Sequence, residues 1–145
     1  MAKSKIASAV DQYKSVGVRS GVEGASAHRL VQMLMEGALD KIAIAKGQIE
    51  RKEFEGKGHY ISWAIAIING LRDSLDKQAG GEIANNLDEV YRYMVRRLLE
   101  ANRRNDAAML TEVSSLLFEI KSAWDAMPDH LKHAVPQPTA KAAGG

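Results

Sequence analysis

A chain of 145 residues, 46% of them hydrophobic, is long enough to bury about two thirds of its unfolded surface in one domain, and a second domain is not expected. Its 20 basic and 18 acidic side chains nearly cancel, and the basic clusters are confined to Arg96-Arg97 and Arg103-Arg104, so the basic face that nucleic acid requires is missing. With no cysteine the chain forms neither disulfides nor thiolate metal sites, which fits a reducing compartment.

The opening MAKSKIASAV has two lysines followed by a five-residue, weakly apolar run before Asp11, too short for the core of a secretory signal, so a cytosolic protein is expected. Within it Ile6, Val10 and Tyr13 share one helical face at i, i+4, i+7. Ser15 to Ala25 holds three glycines, so residues 1-25 read as an N-terminal arm on a flexible joint. All three prolines lie at or beyond Pro128, which leaves every backbone donor before that point free for helix.

The periodicity predicts helices over roughly 26-52, 57-78, 82-103 and 105-127, joined tightly enough to run antiparallel. Ser26 is the expected N-cap of the first, Gly80-Gly81 the break between second and third, and Asn105 or Asp106 the cap of the fourth. The inward stripes are Val31, Leu34, Met35, Ala38, Ile42, Ala45 and Ile49; then Tyr60, Ala64, Ile67, Ile68, Leu71 and Leu75; then Ile83, Leu87, Val90, Tyr91, Met94, Leu98 and Ala101; then Met109, Leu110, Val113, Leu116, Leu117, Ile120 and Trp124. The expected fold is all-α, an antiparallel four-helix bundle over residues 26-127 with a disordered tail over 128-145. The longest apolar run, Trp63 to Ile68, stops at Asn69 and Gly70, far short of a membrane span, so direct membrane insertion is not expected.

Apolar residues outside those stripes are the candidates for partner contact. They are Met33, Gly37 and Ile44 on the first helix, Trp63 and Ile65 on opposite shoulders of the second, Tyr93 and Leu99 flanking the third stripe, and Phe118 nearly opposite the fourth. For Trp63, Ile65 and Tyr93 the competing explanation is the edge of a wide core face. Phe118 is harder to absorb into a core.

Catalytic constellations are missing. The Glu-x-x-His pairs of a di-iron bundle do not occur, and Glu36 with Asp40, like Asp73 with Asp76, reads as a solvated face. His130 and His133 sit in the proline-bounded tail with no third ligand at hand, while His28 reads as a first-turn residue and His59 as a helix-start surface residue. The glycines of EGKGH and AGGE follow no strand and match no phosphate-loop spacing. No cofactor, no metal and no enzyme activity are expected; the excess apolar surface points to a binding protein.

Ser26-Ala27-His28-Arg29-Leu30 through Glu36-Gly37-Ala38 resembles the opening of the FliS family of flagellar export chaperones, where Ser-Pro-His leads into an apolar helix with an acidic residue before Gly-Ala. Trp63 to Ile68 with Leu71 and Leu75-Asp76 is similar to the family's second helix, and Gly80-Gly81-Glu82-Ile83-Ala84 with Asn86-Leu87, Tyr91, Tyr93-Met94, Arg96-Arg97-Leu98-Leu99 and Ala101-Asn102 to its third; Leu116-Leu117, Ile120 and Ala123-Trp124 complete the fourth. Ala27 replaces the usual proline, Met35 an aromatic residue, and the arm lacks a frequent extra tyrosine.

The resemblance implies a cytosolic chaperone that binds the C-terminal segment of flagellin, blocks its premature assembly and delivers it to a component of the flagellar type III export gate. An alternative in the same light is a regulatory adaptor for an anti-sigma factor or a co-chaperone, served by Arg96, Arg97, Arg103 and Arg104. Val10 and Tyr13 stand where the family carries a hydrophobic and aromatic pair, so the arm is expected to cover part of the client site, or else simply one side of the core. If it is a displaceable lid, deleting residues 1-14 tightens the binding of a flagellin C-terminal peptide measured by calorimetry; unchanged or weaker affinity with an intact fold rules the lid out.

Overall fold

Ser26 has an extended backbone (ψ 162°) and its hydroxyl accepts from the Arg29 amide at 3.1 Å, satisfying one orphan donor and starting a helix at Ala27. The computed structural model describes residues 26–128, in which four helices follow one another: α1 Ala27–Glu50, α2 Phe54–Asp73, α3 Lys77–Arg104 and α4 Ala107–Asp125. Each packs on two neighbours, α1 on α2 and α4, and α3 on α2 and α4, so the four close into an all-α antiparallel bundle. The arm with Val10 and Tyr13, and the tail from Asp129, lie outside the described residues.

The joints use local chemistry. Lys52 turns the chain between α1 and α2 with a left-handed φ of 61°, where a side chain costs about 1 kcal/mol. Asn105 and Asp106 divide the last joint between them: Asn105 takes the left-handed C-cap of α3 (φ 52°), and the Asp106 carboxylate accepts from the Ala108 and Met109 amides to open α4.

The second joint differs from expectation. The break falls at Ser74 to Asp76, because the Asp76 side chain accepts from the Ala79 amide at 3.0 Å and starts α3 a turn before the glycine pair. The expected glycine break is present as well: Gly81, with non-helical angles of φ 54° and ψ −126°, interrupts α3 with a kink one turn after its start.

All seven predicted inward residues of α1 are buried, as are Ala64, Ile67, Ile68 and Leu71 of α2 and Met109, Leu110, Val113 and Leu117 of α4. Burial of each large aliphatic side chain among them contributes about 1.5–3 kcal/mol. Two details are corrected. On α2 the fully buried residue is Ile61, with Tyr60 at the margin, and on α3 Ala84 and Asp88 point inward while Ile83 is 72% exposed. The reason for the second is that Ile83 falls on the α4-facing flank of α3, over an open seam instead of the core.

His28, in the first turn of α1 as expected, is also buried. Its ring stacks on Trp124 at 4.7 Å between centroids and 9° between planes, its Nε2–H donates to the Trp124 carbonyl at 2.9 Å, and Trp124 Nε1–H donates back to the His28 carbonyl at 3.0 Å. A carbonyl only accepts, so Nε2 carries the proton. Gln32 adds a bond to Asp125 at 2.7 Å, and together these fasten the start of α1 to the end of α4.

Across the bundle α2 and α3 are fastened by charge. Asp88, buried in α3, accepts from Arg72 at 2.9 Å and Lys77 at 3.3 Å. Burial pushes its carboxyl up, but the hydrogen bonds and charges of Arg72 and Lys77 outweigh that and hold it below the usual carboxylate range. A depressed folded value stabilises the fold above the unfolded pKa of about 3.9, and the contribution disappears as pH falls through the folded value. Asp88→Asn is therefore expected to cost about 1–3 kcal/mol in urea unfolding at pH 7 and much less at pH 2, so the wild-type and variant stabilities converge in acid.

Candidate functional site

The seam between α3 and α4 is the least closely packed of the four. Ile83, Leu87 and Val90 on α3, at i, i+4 and i+7, face Leu116 and Ile120 on α4 across an open groove of about 330 Å³ rimmed by Asn86 and Glu119. Leu87, Val90, Leu116 and Ile120 also pack by their inner edges against the core, so the groove floor is continuous with it.

One end of this seam is closed by a polar clasp. Tyr93 and Arg97, one turn apart on α3, both donate to Glu112 on α4, the hydroxyl to one carboxylate oxygen and the guanidinium Nε to the other at 2.8 Å. The Tyr93 hydrogen bond holds the Glu112 carboxyl below its ordinary range, aided by Arg97, and that same bond pushes the Tyr93 phenol up. The apolar floor thus ends at a fixed polar edge.

A second, shallower depression lies on the other flank of α4, lined by Leu39 of α1 with Ser114, Ser115, Phe118 and Glu119. Phe118 is 61% exposed there, and Glu119 borders both depressions, which therefore adjoin over the outer face of α4. No described hydrogen bond joins Ser114 or Ser115 to Glu119 in the second depression and no histidine lines either one, and among the described residues no cluster of three or more His, Asp or Glu could hold a metal ion. No helix of these residues is long and apolar enough to cross a membrane.

The residues singled out in the sequence are spread around the bundle. Met33, Gly37 and Ile44 are half-buried on the flank of α1 that carries Lys41, whose ammonium lies 4.3 Å from the centroid of the Trp63 ring on α2. That places these four on the α1–α2 side. Ile65 is half-buried on the flank of α2 that carries Arg72, and Leu99 is 55% exposed on the flank of α3 that carries Asn102, so both belong to the α2–α3 side. Tyr93 belongs to the α3–α4 seam and Phe118 to the α4–α1 side.

Sequence reasoning missed Ile83, Leu87, Val90, Leu116 and Ile120 as a surface because it assigned all of them to inward stripes. The signal that was available is width. From Ile83 to Ala101 the apolar positions span more of α3 than two neighbours cover.

The sequence pattern of the family described as flagellar protein FliS matches residues 9–130. The chain is similar to the flagellar secretion chaperone FliSB of Pseudomonas aeruginosa, with 50% identity over 117 residues, 81% of this chain and 93% of that one. It is 48% identical over 119 residues to the flagellar secretion chaperone FliS of Salmonella typhimurium, covering 81% and 88% of the two chains, and 33% identical over 106 residues to that of Bacillus subtilis, covering 73% and 78%.

If the groove is surface and not core, Ile83→Ser changes the free energy of urea unfolding by less than about 0.5 kcal/mol, whereas Leu117→Ala, one turn from the groove wall but fully buried, lowers it by about 2–5 kcal/mol.

Proposed function

The chain belongs to the FliS family of flagellar secretion chaperones, and from that premise we propose that it holds the C-terminal segment of flagellin along the α3–α4 groove until the segment is passed to a component of the export gate. The observation that carries this reading is the groove itself, a row of five aliphatic side chains on two helices with a polar edge at one end. A client helix lays side chains at i, i+3, i+4 and i+7 into such a row, which matches the i, i+4, i+7 spacing of Ile83, Leu87 and Val90. Beyond Glu119 the client continues over α4 to Phe118, whose exposed ring supplies a second apolar anchor.

The logic is that of a chaperone with no chemistry to perform. A segment that assembles by burying an apolar helical face polymerises only while that face is free, and occupancy of the face by a preformed bundle removes it from the reaction by mass action. Ordering the client on binding limits the affinity, which suits a cargo that must be released. On this reading the chaperone works in the cytosol. The arm carrying Val10 and Tyr13 competes for the same apolar surface, and Met33, Gly37, Ile44, Trp63 and Ile65 support the bundle from its other sides without touching this stretch of client.

Calorimetry with a flagellin C-terminal peptide tests the reading. Val90→Glu, which places a charge in the groove floor, lowers affinity by about 100-fold, and Phe118→Ala by about tenfold, with a negative heat-capacity change for the wild-type protein. Full affinity in Val90→Glu with the helical fold retained overturns the assignment of the groove.

A further inference from the structure

The outer face of α3 turned away from the groove carries an unusual arrangement of charge. Every other arginine between residues 26 and 128 has a carboxylate within 4.0 Å, on its own helix, on a neighbouring helix or in the adjoining turn. Arg92 and Arg96 have none among the described residues: Glu89, one turn before Arg92, reaches neither guanidinium, and that of Arg96 lies 5.9 Å from the centroid of the Tyr93 ring, a contact that leaves its charge without a carboxylate. Both are exposed, one turn apart, and they lead directly to Leu99, which is 55% exposed at mid-helix. Arg92, Arg96 and Leu99 follow the spacing i, i+4, i+7 and so share one stripe about 10 Å long.

We propose that this stripe is a second docking surface, for an acidic amphipathic helix of another protein, separate from the α3–α4 groove. The occupant is identified by complementarity. A helix with one aliphatic residue over Leu99 and two carboxylates a turn apart reaches both guanidinium groups, whose planar forks favour bidentate carboxylate. A second copy of this chain meets the stripe less well, because a twofold axis through Leu99 across the helix sets Arg96 opposite Asn102 of the other copy, and the Asp106 it sets near Arg92 is already bonded to the Ala108 and Met109 amides. Nucleic acid is disfavoured by the short charge stripe and the aliphatic centre. The facing stretch of α2 offers no competing charge: Gly58, Ser62, Ile65 and Asn69 along its flank are all uncharged. Since the surface lies across α3 from Ile83, Leu87 and Val90, it remains open when the groove is filled.

The experiment uses the full-length protein and two synthetic helices of identical pattern, one of Leu and Glu and one of Leu and Lys, titrated by fluorescence anisotropy at low and high salt. The Leu/Glu helix binds, its affinity falls steeply with added salt, and both Arg92→Glu/Arg96→Glu and the milder Arg92→Gln/Arg96→Gln lower it by tenfold or more, as does Leu99→Ser by severalfold. Val90→Glu leaves it unchanged, and the flagellin peptide binds the arginine variants with wild-type affinity. Absence of Leu/Glu binding, equal binding of the Leu/Lys helix, retention of affinity in both arginine variants, or preferential binding of a single-stranded oligonucleotide overturns the proposal. Failure of the flagellin peptide to bind the wild-type protein bears on the groove alone, so the two readings fall separately.

Discussion

Four amphipathic helices can bury four stripes only if the ring of contacts closes, and here it closes where the first helix meets the last. The stacked rings of His28 and Trp124 exchange two hydrogen bonds with each other's backbones, and Gln32 to Asp125 and Lys121 to Glu36 lock the same seam. These contacts join residues that lie far apart in the chain, so their loop-closure entropy is paid once and every inner stripe benefits. Apolar burial of Val31, Leu110 and Val113 draws α4 back to α1, and these polar contacts fix the register in which it arrives.

The polar contacts sort the seams unequally. Asp88 with Arg72, and Lys57 with Asn102, tie α3 to α2, while Lys77 braces Asp88 from within α3; the His28 and Gln32 bonds tie α4 to α1. Between α3 and α4 the described side-chain hydrogen bonds converge on the one carboxylate of Glu112. The bundle is thus two fastened pairs with a looser seam between them, and the unfilled part of that seam is lined by aliphatic groups. A site made in this way needs no loop or catalytic residue. It arises where two helices are each held by their other neighbour and leave apolar flanks facing water.

Surface charge follows the same division between what the fold uses and what it leaves over. Arg72 and Arg97 serve seams within the bundle, and Arg103 and Arg104 share Glu100 along α3. Exposed pairs of the last kind contribute little to stability. Family membership says that the bundle is a secretion chaperone; the distribution of apolar and charged surface left outside its seams is what distinguishes one face of it from another.

The helical class and the inner stripe of α1 were legible in the sequence because a 3.6-residue period, the Ser26 cap and the absence of proline before Pro128 are local properties. So was the placing of Phe118 nearly opposite its stripe and of Leu99 beside its own, and the two are exposed at 61% and 55%. Three things were not. Asp76 rather than the glycine pair opens α3, since a side-chain cap of an amide three residues on depends on backbone geometry and leaves no periodic trace. His28 pairs with Trp124 across 96 residues, a separation no local rule spans. Ile83 and its groove partners carry the same pattern as core residues, and whether an apolar flank is buried depends on how closely the neighbouring helix lies against it. The sequence by itself determined which face of each helix is apolar, because side-chain direction follows from helical geometry alone. Only the tertiary structure decided which apolar flank is covered and which is left open, because that is set by the distance between helices and the polar contacts that hold them there.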